Sequence, residues 1–588
     1  MKSLWRYLQP YKWRMAGVMC VKLLATSLEL LIPYVMKHLI DRVVPTKNLL
    51  LAVAWGAVML LLAVSVRMIN VRANRMSVRT ARNAAYALRR DLFHAAIRLS
   101  GAQTDRVGLP SLISRMTSDS YNVQSFTQSA QTIGIRAPIM LLGGIGITLI
   151  MDAGLAVILC VMAPIMIALV VFVSLKGIPL YDMVQRGMDD IVRVMRENIT
   201  GIRVVKALSR EEHERGRFSG VNRETARRDI RAGVTMALPG PIVSLFLNVG
   251  LTLVVLIGAR RVNAGATEPG TILAFLTYFN MILMGVMGLN RIFMMMSKAN
   301  ASVRRIQAVT DLPDDLPRLD EAETTPAPEK GMLVFDHVSF SYLPDEGGGD
   351  RDASKFAGQQ RQKSLEDVSF AVPEGGSLGI IGATGSGKTT IINLLMRFYD
   401  PQAGHVYVDG KDVRAWDRAA LRRRFGVALQ TDVIFADTIR ENIVLARDVN
   451  DEALRAAASD AMAGGFIEAY EDGYDHRAVI AGANFSGGQK QRLMVARALA
   501  ASPDILILDD ASSALDYRTD AALRRAIREH HAETTAVIVA QRCSSVMNLD
   551  QILVLEEGRI IGKGTHAELL ETCPTYRDIY ETQMGEVS

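Results

Sequence analysis

The sequence is 588 residues long, too long for a single hydrophobic core, so several domains are expected. It is 49% apolar with a mean hydropathy of +0.17, and the long apolar runs crowd into the first half, which excludes a purely soluble protein. The formal net charge of +6 is carried largely by arginines behind an apolar run, with no stacked-aromatic or RNA-module pattern, and argues against a nucleic-acid partner.

The opening MKSLWRYLQPYKWRM is basic and amphipathic and lacks the short apolar core and small-residue cleavage site of a signal peptide. It reads as an interfacial helix entering the membrane from the cytoplasm. A hydrocarbon core about 30 Å thick needs about 20 mostly apolar helical residues. Stretches 16–40, 49–70, 130–151, 154–176, 238–260 and 271–297 qualify as spans. Only Asp152-Ala153-Gly154 separates the third from the fourth, a turn without positive charge that belongs outside. The arginine-rich stretches 71–129 and 177–237 belong inside. Runs such as VRTARNAAYALRRDLFHAAIRLS keep helical apolar spacing, so the membrane helices should continue well into the cytoplasm. Residues 1–310 are therefore expected to be an all-α transmembrane domain of six helices with long cytoplasmic extensions and both chain termini inside.

Lys22 and Glu29 fall within the first span, seven residues apart and so on similar faces of one helix. One reading makes them substrate contacts; the plainer one has Lys22 reaching to a surface and Glu29 pairing with a neighbouring helix. The last span carries Met281, Met284, Met287, Met294, Met295 and Met296, either a pliable wall for apolar ligands or ordinary packing. Cys20, Cys160, Cys543 and Cys573 lie far apart and form no metal or redox motif, which fits a reducing cytoplasmic side.

Residues 311–330, DLPDDLPRLDEAETTPAPEK, are acidic and proline-rich and read as an interdomain linker. From 331 to 588 strand and helix patterns alternate, as in an α/β domain. The polar, low-complexity stretch 344–363 interrupts that pattern and reads as a surface loop.

GIIGATGSGKTT is the chemically richest segment. It holds Gly382-Ala383-Thr384-Gly385-Ser386-Gly387-Lys388-Thr389-Thr390 between an apolar strand and the apolar helix IINLLMRF, the context of a phosphate loop. Glycines let backbone N–H groups close around phosphate oxygens at a positive helix N-terminus. Lys388 adds a mobile charge for β- and γ-phosphates, and the Thr389 hydroxyl can ligate Mg²⁺.

With that loop and the motifs after it, nearly the whole chain resembles the ATP-binding cassette (ABC) family, in particular exporter-type (type IV) half-transporters. Tyr342 in VSFSY matches the aromatic that stacks on adenine, and Gln430 in VALQTDVIFADTIRENI matches the glutamine that contacts Mg²⁺ and the attacking water. NFSGGQKQR matches the signature, with Ser486, Gly487, Gly488 and Gln489 intact; ILILDD matches the strand whose Asp509 holds Mg²⁺; SALD, residues 513–516, matches the loop that crosses the dimer interface. The resemblance implies a six-helix transmembrane domain followed by an α/β P-loop NTPase domain, 331–588, binding ATP and Mg²⁺. It implies two such domains sandwiching two ATP molecules, each site joining one chain's phosphate loop to the other's signature. By the same analogy residues 106–122 and 209–218 would be coupling helices, and the setting would be a bacterial-type plasma (inner) membrane.

The sequence departs from the family at two catalytic positions. Asp510 stands where a glutamate usually polarises the attacking water, about 1.5 Å shorter by one methylene. Gln541 replaces the histidine that contacts the γ-phosphate, and glutamine cannot carry its charge. RAVIAGANFSGGQ also lacks a VGERG-like run before the signature, which alters the usual cross-talk contact. Both catalytic departures fall on the site built on this chain's own phosphate loop. The expectation is an ATP-driven exporter of small molecules, lipids or peptides, paired with a non-identical half-transporter that keeps Glu and His. The alternatives are an importer built on the exporter fold, a homodimeric exporter with reduced ATPase, and a nucleotide-gated channel or regulatory subunit.

Overall fold

In a bilayer a chain must pair its own backbone N–H and C=O groups, and long apolar runs answer with helices. In the computed structural model, which describes residues 2–320, 324–342, 363–431 and 433–585, the first half is built that way. The helices used below are α1 (Lys12–His38), α2 (Leu49–Arg98), α3 (Gly101–Val107), α4 (Ser120–Met151), α5 (Ala153–Thr200), α6 (Glu211–Ala237), α7 (Pro239–Asn263) and α8 (Pro269–Thr310). Among the described residues five helical stretches are long and apolar enough to cross a membrane, and the apolar segment Ala153–Leu169 of α5 coincides with the remaining expected span. The 50 residues of α2 rise about 75 Å, more than twice the hydrocarbon thickness.

The chain divides into two compact units, Met1–Ala96 with Leu112–Leu312, and Ile97–Ser111 with Pro313–Ser588. In the first unit, α5, α7 and α8 share a core that includes Leu155, Leu159, Val254, Phe275 and Phe279. Asp152 makes the tight α4–α5 hairpin by capping α5, accepting from the Leu155 N–H at 3.1 Å and from Arg261 Nε at 3.1 Å. Such a cap is worth about 1 kcal/mol.

Lys22 does not reach a surface. It is buried on α1 and donates to Asn70 Oδ1 at 2.6 Å and Asn74 Oδ1 at 3.4 Å on α2, so two amides solvate the ammonium in place of water. Glu29 accepts from Arg136 Nη2 of α4 at 2.8 Å, an interhelical ion pair. Met281 packs beside the buried Leu30, Ala274 and Tyr278, whereas Met284, Met287 and Met296 are exposed.

The second unit holds strands β1 (Leu333–Phe340), β2 (Leu365–Val372), β3 (Ser377–Gly382), β4 (Ala403–Val408), β5 (Lys411–Asp412), β6 (Phe425–Ala428), β7 (Ile505–Asp509), β8 (Thr535–Val539), β9 (Gln551–Glu556) and β10 (Arg559–Gly564). An antiparallel sheet runs β2-β1-β4-β5, and a second sheet runs β10-β9-β3-β8-β7-β6, parallel except for β9–β10. All five residues of β7 are buried, which explains the unbroken apolar run before its aspartate. Helices α9 (Lys388–Leu395), α10 (Gly487–Leu499), α11 (Tyr517–His530), α12 (Cys543–Val546) and α13 (Pro574–Met584) complete the frame.

Two segments lie elsewhere than the sequence suggested. The start of the expected linker is docked: buried Arg397 donates to Pro317 O at 2.8 Å, and the Leu319 N–H reaches Arg414 O at 2.9 Å. Residues 97–111, inside the stretch read as membrane domain, pack with the second unit. Helix α3, capped by Ser100, places the Gly101 N–H on Phe398 O at 3.2 Å, and Tyr399 Oη donates to Asp105 at 2.5 Å. The helix seated there is thus Gly101–Val107 rather than 106–122, because the capping box at Ser100 starts it earlier. Residues 209–218 open α6 in the first unit, where Glu214 accepts from Asn198 Nδ2 at 2.8 Å. The predicted loop 344–363 lies outside the described residues, apart from Lys363.

Candidate functional site

Parallel strands bring their carboxyl ends to one edge, where ligands of open α/β sheets bind. At that edge β3 delivers the phosphate loop, β7 delivers Asp509 and Asp510, and β8 leads to Gln541. These residues, with Tyr342 and Gln430, line a cavity of about 300 Å³. Gly387 turns the loop into α9 at φ 102°, and a Cβ there would lie 2.4 Å from Ser364 O, so only glycine fits. Lys388 Nζ donates to Gly382 O at 2.8 Å and Ala383 O at 2.7 Å. Burial pushes its amine down from the ordinary lysine value, against the pull of Asp509 and Asp510.

Thr389 Oγ1 donates to Asp509 Oδ2 at 3.1 Å, which sets a hydroxyl beside a carboxylate. Burial pushes the Asp509 carboxyl up, the Thr389 hydrogen bond opposes this, Asp510 adds to it and Lys388 opposes it. The Ser386 hydroxyl is buried without a partner among the described residues. An orphaned hydroxyl, a lysine and free N–H groups at the start of α9 make a donor cradle that fits a phosphate chain. Thr389, Asp509 and Gln430 supply the hard oxygen donors that Mg²⁺ takes.

At the cavity's far side Tyr342 is held by hydrogen bonds and by ring contacts, one of them an edge-on contact with Phe340 at 4.9 Å. Its hydroxyl lies 3.3 Å from Thr390 Oγ1 and accepts from Asn393 Nδ2 at 2.9 Å, and its ring meets Tyr399 edge-on at 5.2 Å. Asn393 and Tyr399 were not singled out from the sequence, because nothing in IINLLMRFYD marks which residues face back toward the strand sheet.

The two departures from the family pattern touch. Asp510 leaves β7 in the left-handed region, φ 53°, which its short polar side chain tolerates, with its N–H on Val539 O at 2.9 Å. Its Oδ2 accepts from Gln541 Nε2 at 3.0 Å. Gln583 of α13 in turn clamps the backbone on both sides of Arg542, donating to Gln541 O at 2.8 Å and accepting from the Cys543 N–H at 2.7 Å.

Ser486, Gly487, Gly488 and Gln489 do not line this cavity; they form the N-terminus of α10. Ser486 and Gln489 close a capping box, Gln489 N–H to Ser486 Oγ at 3.3 Å and Ser486 N–H to Gln489 Oε1 at 2.8 Å. Gly488 admits the backbone of the SALD loop, since a Cβ would sit 3.1 Å from Ala514 O. Gln491, also missed from the sequence, braces that loop by donating to Ser513 Oγ at 2.8 Å and accepting from the Ala514 N–H at 2.9 Å. Its one visible signal is a place one helical turn past Gly488. Ahead of α10, where a VGERG-like run is lacking, Ile480 is 83% exposed.

Residues 15–287 match the family model of the ABC transporter transmembrane region, and residues 365–513 match the ABC transporter model. An uncharacterized ABC transporter ATP-binding protein of Mycobacterium tuberculosis is 33% identical over 586 residues, 98% of this chain and 97% of the relative. An ATP-dependent lipid A-core flippase of Chromohalobacter salexigens is 30% identical, over 86% of this chain and 84% of the relative. Among solved structures, a bacterial Atm1-family ABC exporter with ATP bound superposes with a TM-score of 0.78 at 23% identity, covering 98% of this chain and 99% of that chain.

Proposed function

The chain belongs to the ABC transporter family, and on that premise we propose that it is one half of a heterodimeric exporter whose own phosphate-loop site hydrolyses ATP slowly. Members of this fold work as dimers in a membrane, and the ABC domain makes the chain a transport-coupled ATPase. The observation that carries the heterodimer reading is the Asp510–Gln541 contact: both departures sit on one hydrogen bond in one site.

In this reading Tyr342 stacks on adenine, and Gly382 to Thr390 enclose the phosphates. Thr389, Gln430 and Asp509 hold Mg²⁺, which when bound draws charge from the phosphoryl oxygens. Asp510 is left to orient the attacking water, but its carboxylate is withdrawn by one methylene and engaged by a neutral amide. Positioning errors of about 1 Å cost about 10²-fold, and a missing general base costs about 10²–10⁴-fold. The signature of this chain has no such defect and serves the partner's site. Similarity to a lipid A-core flippase, together with the exporter fold, supports outward transport rather than import.

The test is nucleotide content of the purified pair after incubation with labelled ATP and Mg²⁺. The expected result is one ATP retained intact beside one site that turns over. Turnover of both nucleotides contradicts the proposal.

A further inference from the structure

A second cavity, of about 450 Å³, lies in the second unit under α11 and α12. It opens beside Ser377 and Ala536, at the amino ends of β3 and β8, away from the edge that carries the phosphate loop. Its floor is apolar, with Ile527, Ile538 and Leu549. Three arginines of α11 stand over that floor, and they are not equivalent. Arg524 is engaged, donating to Asp520 Oδ2 at 2.7 Å and to the Ser544 carbonyl, which ties α11 to α12. Arg525 and Arg528, exposed at the rim, have no hydrogen bond or ion pair among the described residues. Ser545 in the wall is only 4% exposed, yet its hydroxyl has no partner. The carboxylate in the wall, Asp550, accepts at Oδ2 from the Ser377 N–H at 2.8 Å and hydroxyl at 2.7 Å.

A buried hydroxyl left unsatisfied costs about 1–3 kcal/mol and marks a place where a hydrogen-bonding group is missing. An apolar floor beneath two uncommitted guanidinium groups suits a ligand with an apolar body and one acidic group. We infer that this cavity binds a small organic anion, its apolar body on Ile527, Ile538 and Leu549 and its acid between Arg525 and Arg528, within reach of Ser545. Helix α12, whose Ser544 and Ser545 line the cavity, begins two residues after Gln541, the residue that contacts Asp510 at the opposite end of β8. The inference does not depend on a heterodimer.

The experiment is calorimetric titration of the full-length chain in lipid nanodiscs, with empty nanodiscs subtracted. The probes are 2-naphthoate and 2-naphthyl phosphate, with neutral 2-naphthol and inorganic phosphate as half-ligands. Saturable binding of at least one naphthyl anion is expected, with none for either half-ligand. The doubly substituted R525Q/R528Q chain is expected to bind the anion about tenfold or more weakly while its affinity for ATP with Mg²⁺ is unchanged. Ser545→Val, of similar volume, is expected to weaken the anion by a smaller factor. Whichever anion binds more tightly identifies the acid. Absence of saturable binding by both anions, binding of 2-naphthol as tight as that of the anions, or unchanged anion affinity in R525Q/R528Q overturns the inference.

Discussion

At the signature edge, Ser486 and Gln489 satisfy each other's backbone, Gly488 admits the SALD loop, and Gln491 braces it from below. At the phosphate-loop edge the cradle is also in place, with Lys388 held on the Gly382 and Ala383 carbonyls and Thr389 donating to Asp509. Beyond it lie the two positions that depart from the family pattern, where a short carboxylate in a left-handed turn meets an uncharged amide. General decay would strike both edges. On the proposed reading, a change confined to two touching residues would spare nucleotide binding and the signature's service to a facing chain, and would remove only the positioned base.

The largest expected effect probes the intact edge. Ser486→Ala in the pair should lower ATPase turnover by about 10²-fold or more, since it removes a helix cap and, on the proposed reading, a γ-phosphate donor to the facing site. Equal turnover would erase the contrast between the edges. Next, the double change Asp510→Glu with Gln541→His should raise hydrolysis by this chain alone by about tenfold or more, read as steady-state phosphate release. A single change should do less, because the two side chains act on one hydrogen bond. Gln491→Leu should slow the pair by about fivefold without changing ATP affinity, since a lost hydrogen-bonded brace is worth about 1 kcal/mol. The smallest effect sharpens the comparison: Asp510→Asn should change turnover of the pair by less than about threefold if, as proposed, the base it removes is already out of position.

Much of this was legible because its signals are local. The phosphate loop, signature and β7 each occupy a dozen residues or fewer, and apolar runs report membrane helices by length alone. What escaped depends on partners distant in sequence. Lys22 meets Asn70 and Asn74, 48 and 52 residues away, so amide solvation could not be read from α1. Gln541 and Asp510 are separated by 31 positions, and the sequence marked both as unusual without indicating that they bond. The docking of α3 onto Phe398 and Tyr399 spans nearly 300 residues, and the helix that docks was placed several residues too late. The cavity under α11 carries no motif at all. The strand register brings Ser377 beside Ala536, and the packing of α11 adds its arginines.

The most direct measurement is steady-state ATPase of the purified full-length chain by itself in lipid nanodiscs, beside the same chain with its Asp510→Glu, Gln541→His form. The expected result is phosphate release close to background for the unaltered chain and a clear rise in the altered one. Turnover on the order of 1 per second by the unaltered chain, with no gain from the double change, would contradict a slow site on this subunit.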